Sequence, residues 1–206
     1  MKRALKFMAT TALAAGLATS AFADNVLRIG QTGTLPNLNP YILAGPYDSM
    51  VNNVYDVLTR YDENLEPQPR LAESWSFSDD GLEMTLTLRS GVVFHSGKAF
   101  TSADVLDSLA FVKDADNGAL IRNFANRIVD ASAPDDSTVV FKFEAPFPAV
   151  FDLLELFYII DADSTDFSVT ANGTGPFSVT SHTAGTLSSF AKNADYWAGA
   201  QKIVCL

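Results

Sequence analysis

The chain has 206 residues and is acidic, with 24 aspartates and glutamates against 14 lysines and arginines and a net charge of −10. This balance argues against nucleic acid or an anionic membrane surface as a partner. The length suits one sizeable domain or a domain and a half, and the single cysteine, Cys205, excludes an intramolecular disulfide.

The first 23 residues have the pattern of a secretory signal peptide. Three basic residues precede a short apolar run over residues 7–18, and Ala21-Phe22-Ala23 supplies a small-x-small cleavage site before Asp24. The apolar run is shorter than the roughly 20 residues that span a bilayer, so we expect export without membrane insertion. Cleavage would remove three of the 14 basic residues and no acidic one, which leaves 11 against 24 and a net charge of −13.

The next segments predict a strand and then a helix. Residues 25–31 alternate apolar and polar positions as a first strand does, and a loop rich in glycine, proline and asparagine follows. Apolar residues then recur at helical spacing as far as Leu58, which predicts a helix that begins at Asp48 or Ser49. Residues 61–67 are mostly polar, which predicts a connector between this helix and the segment that follows.

A β-hairpin is the clearest local prediction. Residues 82–89 alternate with a period of two, which predicts a strand with one buried face. Asp79-Asp80-Gly81 predicts a tight turn after an incoming strand that carries Trp75 and Phe77. The apolar residues of the buried face are Leu82, Met84, Leu86 and Leu88.

Two helices and a second pair of strands are predicted after this hairpin. Thr101 and Asp104 form a capping box, which predicts a helix that ends at Asn117-Gly118. A shorter helix over residues 119–126 follows. Strands are predicted at residues 128–129 and 138–143, with a turn at residues 133–137 between them.

A further helix and a hairpin complete the prediction. Pro146 opens an apolar helix that extends to about Phe157. Residues 177–180 and 186–191 predict the two strands of the hairpin.

The sequence offers little catalytic or metal-binding chemistry. The two histidines, His95 and His182, are far apart and lack local carboxylate partners, so a Ser-His-Asp hydrolase is poorly supported. We expect a structural role for His95 and a solvated turn position for His182. Residues 161–166 resemble a calcium loop but lack the glycine and glutamate that an EF-hand needs, so we predict a solvated acidic loop there. We therefore predict no catalytic residue, no metal site and no cofactor.

Several segments, in the same order along the chain, resemble the family 5 extracellular solute-binding proteins of ABC importers, whose members include dipeptide, oligopeptide and nickel receptors. The matching segments are PRLAESW at 69–75, Asp80-Gly81, LRSGVVFHSG at 88–97, TSADV at 101–105, GTGPF at 173–177 and NADYWAG at 193–199. The resemblance implies a mixed α/β chain with the type II (cluster C) periplasmic binding protein-like fold. By this resemblance the domains are 1–23 signal peptide, 24–46 first-lobe segment, 47–161 small flanking domain, 162–172 connector and 173–206 return to the first lobe.

The resemblance also implies a function. The protein would be a periplasmic, monomeric receptor for a small solute, with peptides expected first and nickel, haem or sugar left open, and it would dock on the membrane subunits of an ABC permease without being an enzyme. Members of the family are usually more than twice this long, so the main alternative is an inactive, truncated or frameshifted fragment. A periplasmic hydrolase is the weakest alternative.

The candidate ligand-binding residues follow the predicted first strand. Ligands commonly meet the ends of strands, and backbone groups there can pair with a peptide as an added strand, so Thr32, Gly33 and Thr34 are candidates. Tyr41 and Tyr47 are expected to line the same cleft. An ordinary strand-to-loop turn is the alternative interpretation of residues 32–34, and packing is the alternative for the tyrosines.

Overall fold

The structure is a computed structural model that describes residues 35–42 and 45–199. The predicted signal peptide, the predicted first strand and Cys205 lie outside the described residues. None of the helices within the described ranges is long and apolar enough to cross a bilayer.

The described chain begins with a short helix and a small hairpin. Helix α1 (Asp48–Val54) begins where the sequence predicts. Its predicted extension to Leu58 is wrong, because Tyr55 is extended (φ −115°, ψ 147°) and the chain enters strand β1 (Thr59–Tyr61). Strand β1 pairs antiparallel with β2 (Pro67–Pro69).

A four-stranded antiparallel sheet forms the centre of the described structure. The hairpin of β3 (Ala72–Phe77) and β4 (Glu83–Leu88) is confirmed, and its turn places Gly81 at a φ of +69°, where glycine meets no steric cost. Strands β5 (Ile128–Asp135) and β6 (Thr138–Phe143) complete the sheet in the order β3-β4-β6-β5. The predicted turn at residues 133–137 is wrong in its first part, because residues 133–135 lie in β5. Pro134 is tolerated because β5 is an edge strand with a register shift at this point.

One face of the sheet is buried under helices. Helix α2 (Ser102–Lys113) starts at the predicted capping box, in which the Thr101 N–H donates to the Asp104 carboxylate at 2.8 Å. Burying each large apolar side chain stabilises the fold by roughly 1.5–3 kcal/mol. The buried residues that α2, β4 and β6 contribute are Val105, Leu109, Val112, Met84, Leu86, Leu88, Val139, Phe141 and Phe143.

Helix ends differ from the predictions for local reasons. Helix α2 ends at Lys113, because Asp114 is extended and its carboxylate accepts the Asp116 N–H at 3.0 Å. Gly118 instead caps a following 3-10 turn. Helix α3 (Arg122–Ala125) is only one turn, shorter than predicted.

The next helix also begins later than predicted, and a hairpin follows it. Helix α4 (Val150–Leu156) begins after Pro148 and not at Pro146, because a proline disfavours the helical region for the residue before it. Strands β7 (Phe177–Thr183) and β8 (Leu187–Lys192) form the predicted C-terminal hairpin; β7 extends beyond its predicted end, and β8 has the predicted length but is shifted by one residue. His182 therefore lies in β7 rather than in a turn, and its Nδ1 is 2.9 Å from Ser188 Oγ.

Candidate functional site

Only two of the predicted ligand-binding residues lie within the described chain. Thr32, Gly33 and Thr34 fall outside it. Tyr41 is 2% exposed, its hydroxyl donates to the carbonyl of Tyr158, and its ring stacks on Phe111 at a centroid distance of 5.9 Å. Burial raises the pKa of Tyr41 and thereby favours the neutral phenol. Its side chain packs inward, and ligand contact by Tyr41 stays a prediction.

The chain beside Tyr41 presents apolar groups to the surface. Tyr47 is half-buried in the 3-10 turn before α1. Ile42 is 39% exposed and Leu120 is 63% exposed, and the Leu120 N–H donates to the Tyr41 carbonyl at 2.9 Å. This hydrogen bond holds the loop after the 3-10 turn at residues 115–117 against the loop that carries Tyr41. Leu120 could not be identified as a surface residue of this kind from the sequence, because it fell inside a predicted helix.

A buried polar cluster connects distant parts of the chain around Asp56. The Asp56 side chain is 2% exposed, and the Arg70 guanidinium donates to its Oδ1 at 2.8 Å. Asp56 Oδ2 accepts from Trp197 Nε1 at 2.8 Å and from Thr174 Oγ1 at 3.2 Å. The Tyr196 hydroxyl donates to Asp56 Oδ1 at 3.2 Å and accepts from Arg70 at 2.8 Å. We call these five residues the Asp56 cluster.

Two arginines also stack on the indole of this cluster. The guanidinium carbons of Arg89 and Arg70 lie 4.4 Å and 5.1 Å from the centroid of the Trp197 ring. Arg89 Nε donates to the Arg70 carbonyl at 3.1 Å, which fixes the plane of the guanidinium. A cation over an indole is stabilising by about 0.5–1 kcal/mol at exposed sites and by more where water is excluded.

The charged and polar groups of the Asp56 cluster stabilise one another. Burial is the largest single effect and lowers the pKa of Arg70, but the charge of Asp56, the neighbouring Tyr196 and the hydrogen bonds to both together outweigh it, so the pKa of Arg70 rises. Burial, with the Asp56 charge, raises the pKa of Tyr196 to about 12, so the phenol stays a donor at neutral pH. The arrangement suits structural cohesion rather than proton transfer.

The segment of residues 173–176, here called the return segment, packs directly on the end of α1. The Gly175 N–H donates to the Val54 carbonyl at 3.0 Å. A Cβ atom on Gly173 would lie 2.1 Å from that same carbonyl oxygen, and one on Gly175 would lie 2.6 Å from the Val54 carbonyl carbon. Both glycines are therefore required by close approach of two backbones.

Lys98 forms a second buried ionic contact, where the sequence predicted a solvated acidic loop. Its Nζ lies 2.8 Å from Asp161 Oδ1 and 3.0 Å from Asp104 Oδ1, and both carboxylates are almost fully buried. The hydrogen bond that Lys98 donates to Asp161 is the main cause that raises the pKa of Lys98; burial opposes it and Asp104 adds to it. The prediction of a solvated loop is wrong for Asp161, which also accepts from Asn172 at 2.6 Å, although Asp163 is 85% exposed.

Replacement of Lys98 by methionine is expected to lower the free energy of unfolding by about 2–3 kcal/mol at neutral pH, because two buried carboxylates lose their shared cation. This figure allows for the 37% exposure of the lysine side chain. Part of the loss should be recovered on acidification, since one carboxylate can then bind a proton. Urea unfolding at several pH values measures both effects.

Lys142→Met is the matched control for Lys98→Met. Lys142 pairs with Glu83 at 3.7 Å and Asp130 at 3.4 Å, and all three side chains are largely exposed. The control should change stability by less than about 0.5 kcal/mol. Equal losses in the two variants would contradict the buried role of Lys98.

The described residues hold no group of three or more histidine, cysteine or acidic side chains placed to bind a metal. A surface cavity of about 360 Å³ lies beside Phe111, the residue that stacks on Tyr41, and Asp107 and Asp114 are among its lining residues. The chain thus has a packed scaffold with a partly apolar surface near Tyr41.

The chain is similar to a known family of proteins. Residues 66–204 match the family model described as bacterial extracellular solute-binding proteins, family 5. The chain belongs to this family, whose members are solute-binding components of transport systems, and the predicted type II periplasmic binding protein-like fold is confirmed.

Individual relatives carry more specific descriptions. The glutathione-binding protein GsiB of Salmonella typhimurium is 28% identical over 93% of this chain and 39% of its own length. The probable peptide ABC transporter periplasmic-binding protein y4tO of Sinorhizobium fredii is 30% identical over 77% of this chain and 31% of its own. The crystal structure of NikZ from Campylobacter jejuni in complex with Ni(L-His) superposes with a TM-score of 0.73 and 28% identity, covering 81% of this chain and 35% of that one. The chain thus spans about a third to two fifths of the length of these relatives.

Proposed function

We propose that this protein acts as the periplasmic solute-binding component of an ABC importer and that its solute is a peptide or a peptide-like molecule such as glutathione. The observation that carries the proposal is the family match over residues 66–204. The names of GsiB and y4tO support the peptide class. The work of this component is binding and delivery to a membrane permease, not catalysis, and the signal-like sequence of residues 1–23 supports export.

We place the solute against the loop that follows the first predicted strand. Thr32, Gly33 and Thr34 would offer backbone groups, with Tyr41 and Tyr47 behind them. The exposed side chains of Ile42 and Leu120 support this placement, because they form an apolar surface beside Tyr41. The division into a first lobe (24–46 and 173–206) and a small flanking domain (47–161) stays part of the proposal.

Solute uptake by the source bacterium tests the proposal. Deletion of the gene that encodes this sequence should reduce uptake of labelled di- and tripeptides or glutathione severalfold or more, because the receptor that delivers the solute to the permease is then missing. Complementation should restore it. Unchanged uptake of all these solutes would contradict the proposal, and loss of nickel uptake alone would assign the receptor to another solute.

A matched pair of variants tests the site. In the complementing gene, Leu120→Asp should weaken uptake, because it places a charge in the proposed apolar surface. Leu156→Asp changes a similarly exposed leucine at the end of α4 and should leave uptake intact. Equal behaviour of the two variants would contradict the placement of the solute near Tyr41.

A further inference from the structure

His95 makes two contacts with the return segment. Its backbone N–H donates to the Gly173 carbonyl at 2.9 Å, and its ring Nε2 lies 2.9 Å from the Gly175 carbonyl oxygen. A carbonyl oxygen only accepts, so Nε2 must carry the proton in this contact. The neutral ring then has a bare Nδ1, and this atom is buried without a hydrogen-bond partner among the described residues.

Protonation is unfavourable at this position for two reasons. The second proton would sit on Nδ1, which is buried and has no acceptor among the residues that the structure describes. The ring would also gain a charge in a desolvated environment. Burial accordingly lowers the pKa of His95, although the Gly175 carbonyl and the Asp56 carboxylate both act to raise it.

The charged groups around His95 do not offset this cost. Asp56 is the acidic group that acts on the ring, and Arg70 already neutralises it at 2.8 Å. Lys98, three residues along the same loop, is bound by Asp104 and Asp161. The return segment itself contains only glycine, threonine and proline, so it contributes no titratable side chain.

We propose that His95 and the carbonyls of Gly173 and Gly175 form an acid-sensitive latch, which holds the return segment at neutral pH and releases it when the imidazole is protonated. An imidazolium is better solvated in water than in this site, and its movement into water breaks the bond to Gly175. Release would loosen the contact between the return segment and α1, because the Gly175 N–H donates to the Val54 carbonyl.

The direction of the pH dependence follows from linkage. The pKa of His95 in the folded state is lower than the value near 6.5 of the unfolded chain. The contribution of His95 to stability is therefore fully present above the unfolded pKa and is lost as the pH falls from there toward the folded pKa. The chain has only two histidines, so few other groups titrate in this window.

Amide hydrogen exchange of the full chain between pH 7.5 and pH 5 tests the latch. After correction for intrinsic exchange, protection of the His95 and Gly175 amides should fall about tenfold more than that of amides in β4. His95→Gln keeps a donor at the position of Nε2 without a titratable ring, so the extra fall should disappear. His182→Gln, the matched control, should behave as the unmodified protein.

The exchange experiment can either support or overturn the proposed latch. Equal loss of protection in the latch and in β4, or an extra loss that persists in His95→Gln, would overturn the proposal. If His95→Gln does not fold, the ring nitrogen shifts of His95 in the unmodified protein decide the matter. A titration midpoint below 6.5 with a simultaneous shift of the Gly175 amide supports the latch, and a midpoint at or above 6.5 refutes it.

Discussion

Replacement of Gly173 by alanine is expected to lower the free energy of unfolding by about 3 kcal/mol or more, at or beyond the upper end of overpacking substitutions. The added methyl carbon would lie 2.1 Å from the Val54 carbonyl oxygen and 2.8 Å from Tyr55 Cδ1. The first neighbour is backbone at the end of α1 and cannot rotate away, so the return segment must separate from the helix. Urea unfolding followed by far-UV circular dichroism measures the loss.

Gly97→Ala separates this steric effect from the ordinary cost of removing a glycine. Gly97 has a φ of +87°, and a Cβ atom there would meet nothing within 4 Å. Its replacement should therefore cost only the backbone strain, about 1–2 kcal/mol. A Gly173→Ala loss no larger than that of Gly97→Ala would contradict the close packing of the return segment on Val54.

Local patterns predicted the elements whose causes are local. The alternation of residues 82–89 identified β4 and its buried face, because a sheet with one buried side enforces a period of two. The Thr101–Asp104 capping box identified the first residue of α2 in the same way. Both patterns act within a few residues, so the local sequence is sufficient to predict β4 and the start of α2.

Errors arose where distant contacts decide the conformation. The helical spacing of apolar residues continues past Val54, yet the chain leaves the helix there, and the Val54 carbonyl accepts the Gly175 N–H instead of a helical one. Strand β5 continues through Pro134 because its outer edge needs no ladder hydrogen bond. Asp161 appeared to belong to a solvated loop, and only the fold brings Lys98 against it.

The Asp56 cluster could not be predicted from the sequence for the same reason, because distant contacts bring its members together. Its members come from four separate parts of the chain, and Asp56 and Arg70 alone resemble ordinary surface charges. The resemblance of residues 69–75, 173–177 and 193–199 to family motifs marked three of these parts, because Arg70, Thr174, Tyr196 and Trp197 lie in them. The sequence offered no sign that those motifs meet a single carboxylate.

Replacement of Asp56 by leucine is expected to lower the free energy of unfolding by about 3–5 kcal/mol, because it leaves a largely buried guanidinium without its counter-ion. The substitution also removes the acceptor for Trp197 Nε1 and for the Thr174 hydroxyl. Arg70→Met should cost less, because Asp56 then keeps three uncharged donors in Thr174, Tyr196 and Trp197. Urea unfolding of the two single variants and the double variant gives the coupling energy.

The double variant distinguishes a buried ion pair from mere loss of packing. If the cost of Asp56→Leu comes mainly from the unpaired Arg70 cation, then adding Arg70→Met should recover at least about 1 kcal/mol. Glu83→Gln, at an exposed pair, should change stability by less than about 0.5 kcal/mol and serves as the control for loss of an acidic residue. Additive losses in the double variant would show that Asp56 and Arg70 act independently. A positive coupling would show that the Asp56 carboxylate stabilises the fold through its contact with Arg70, the residue that follows β2.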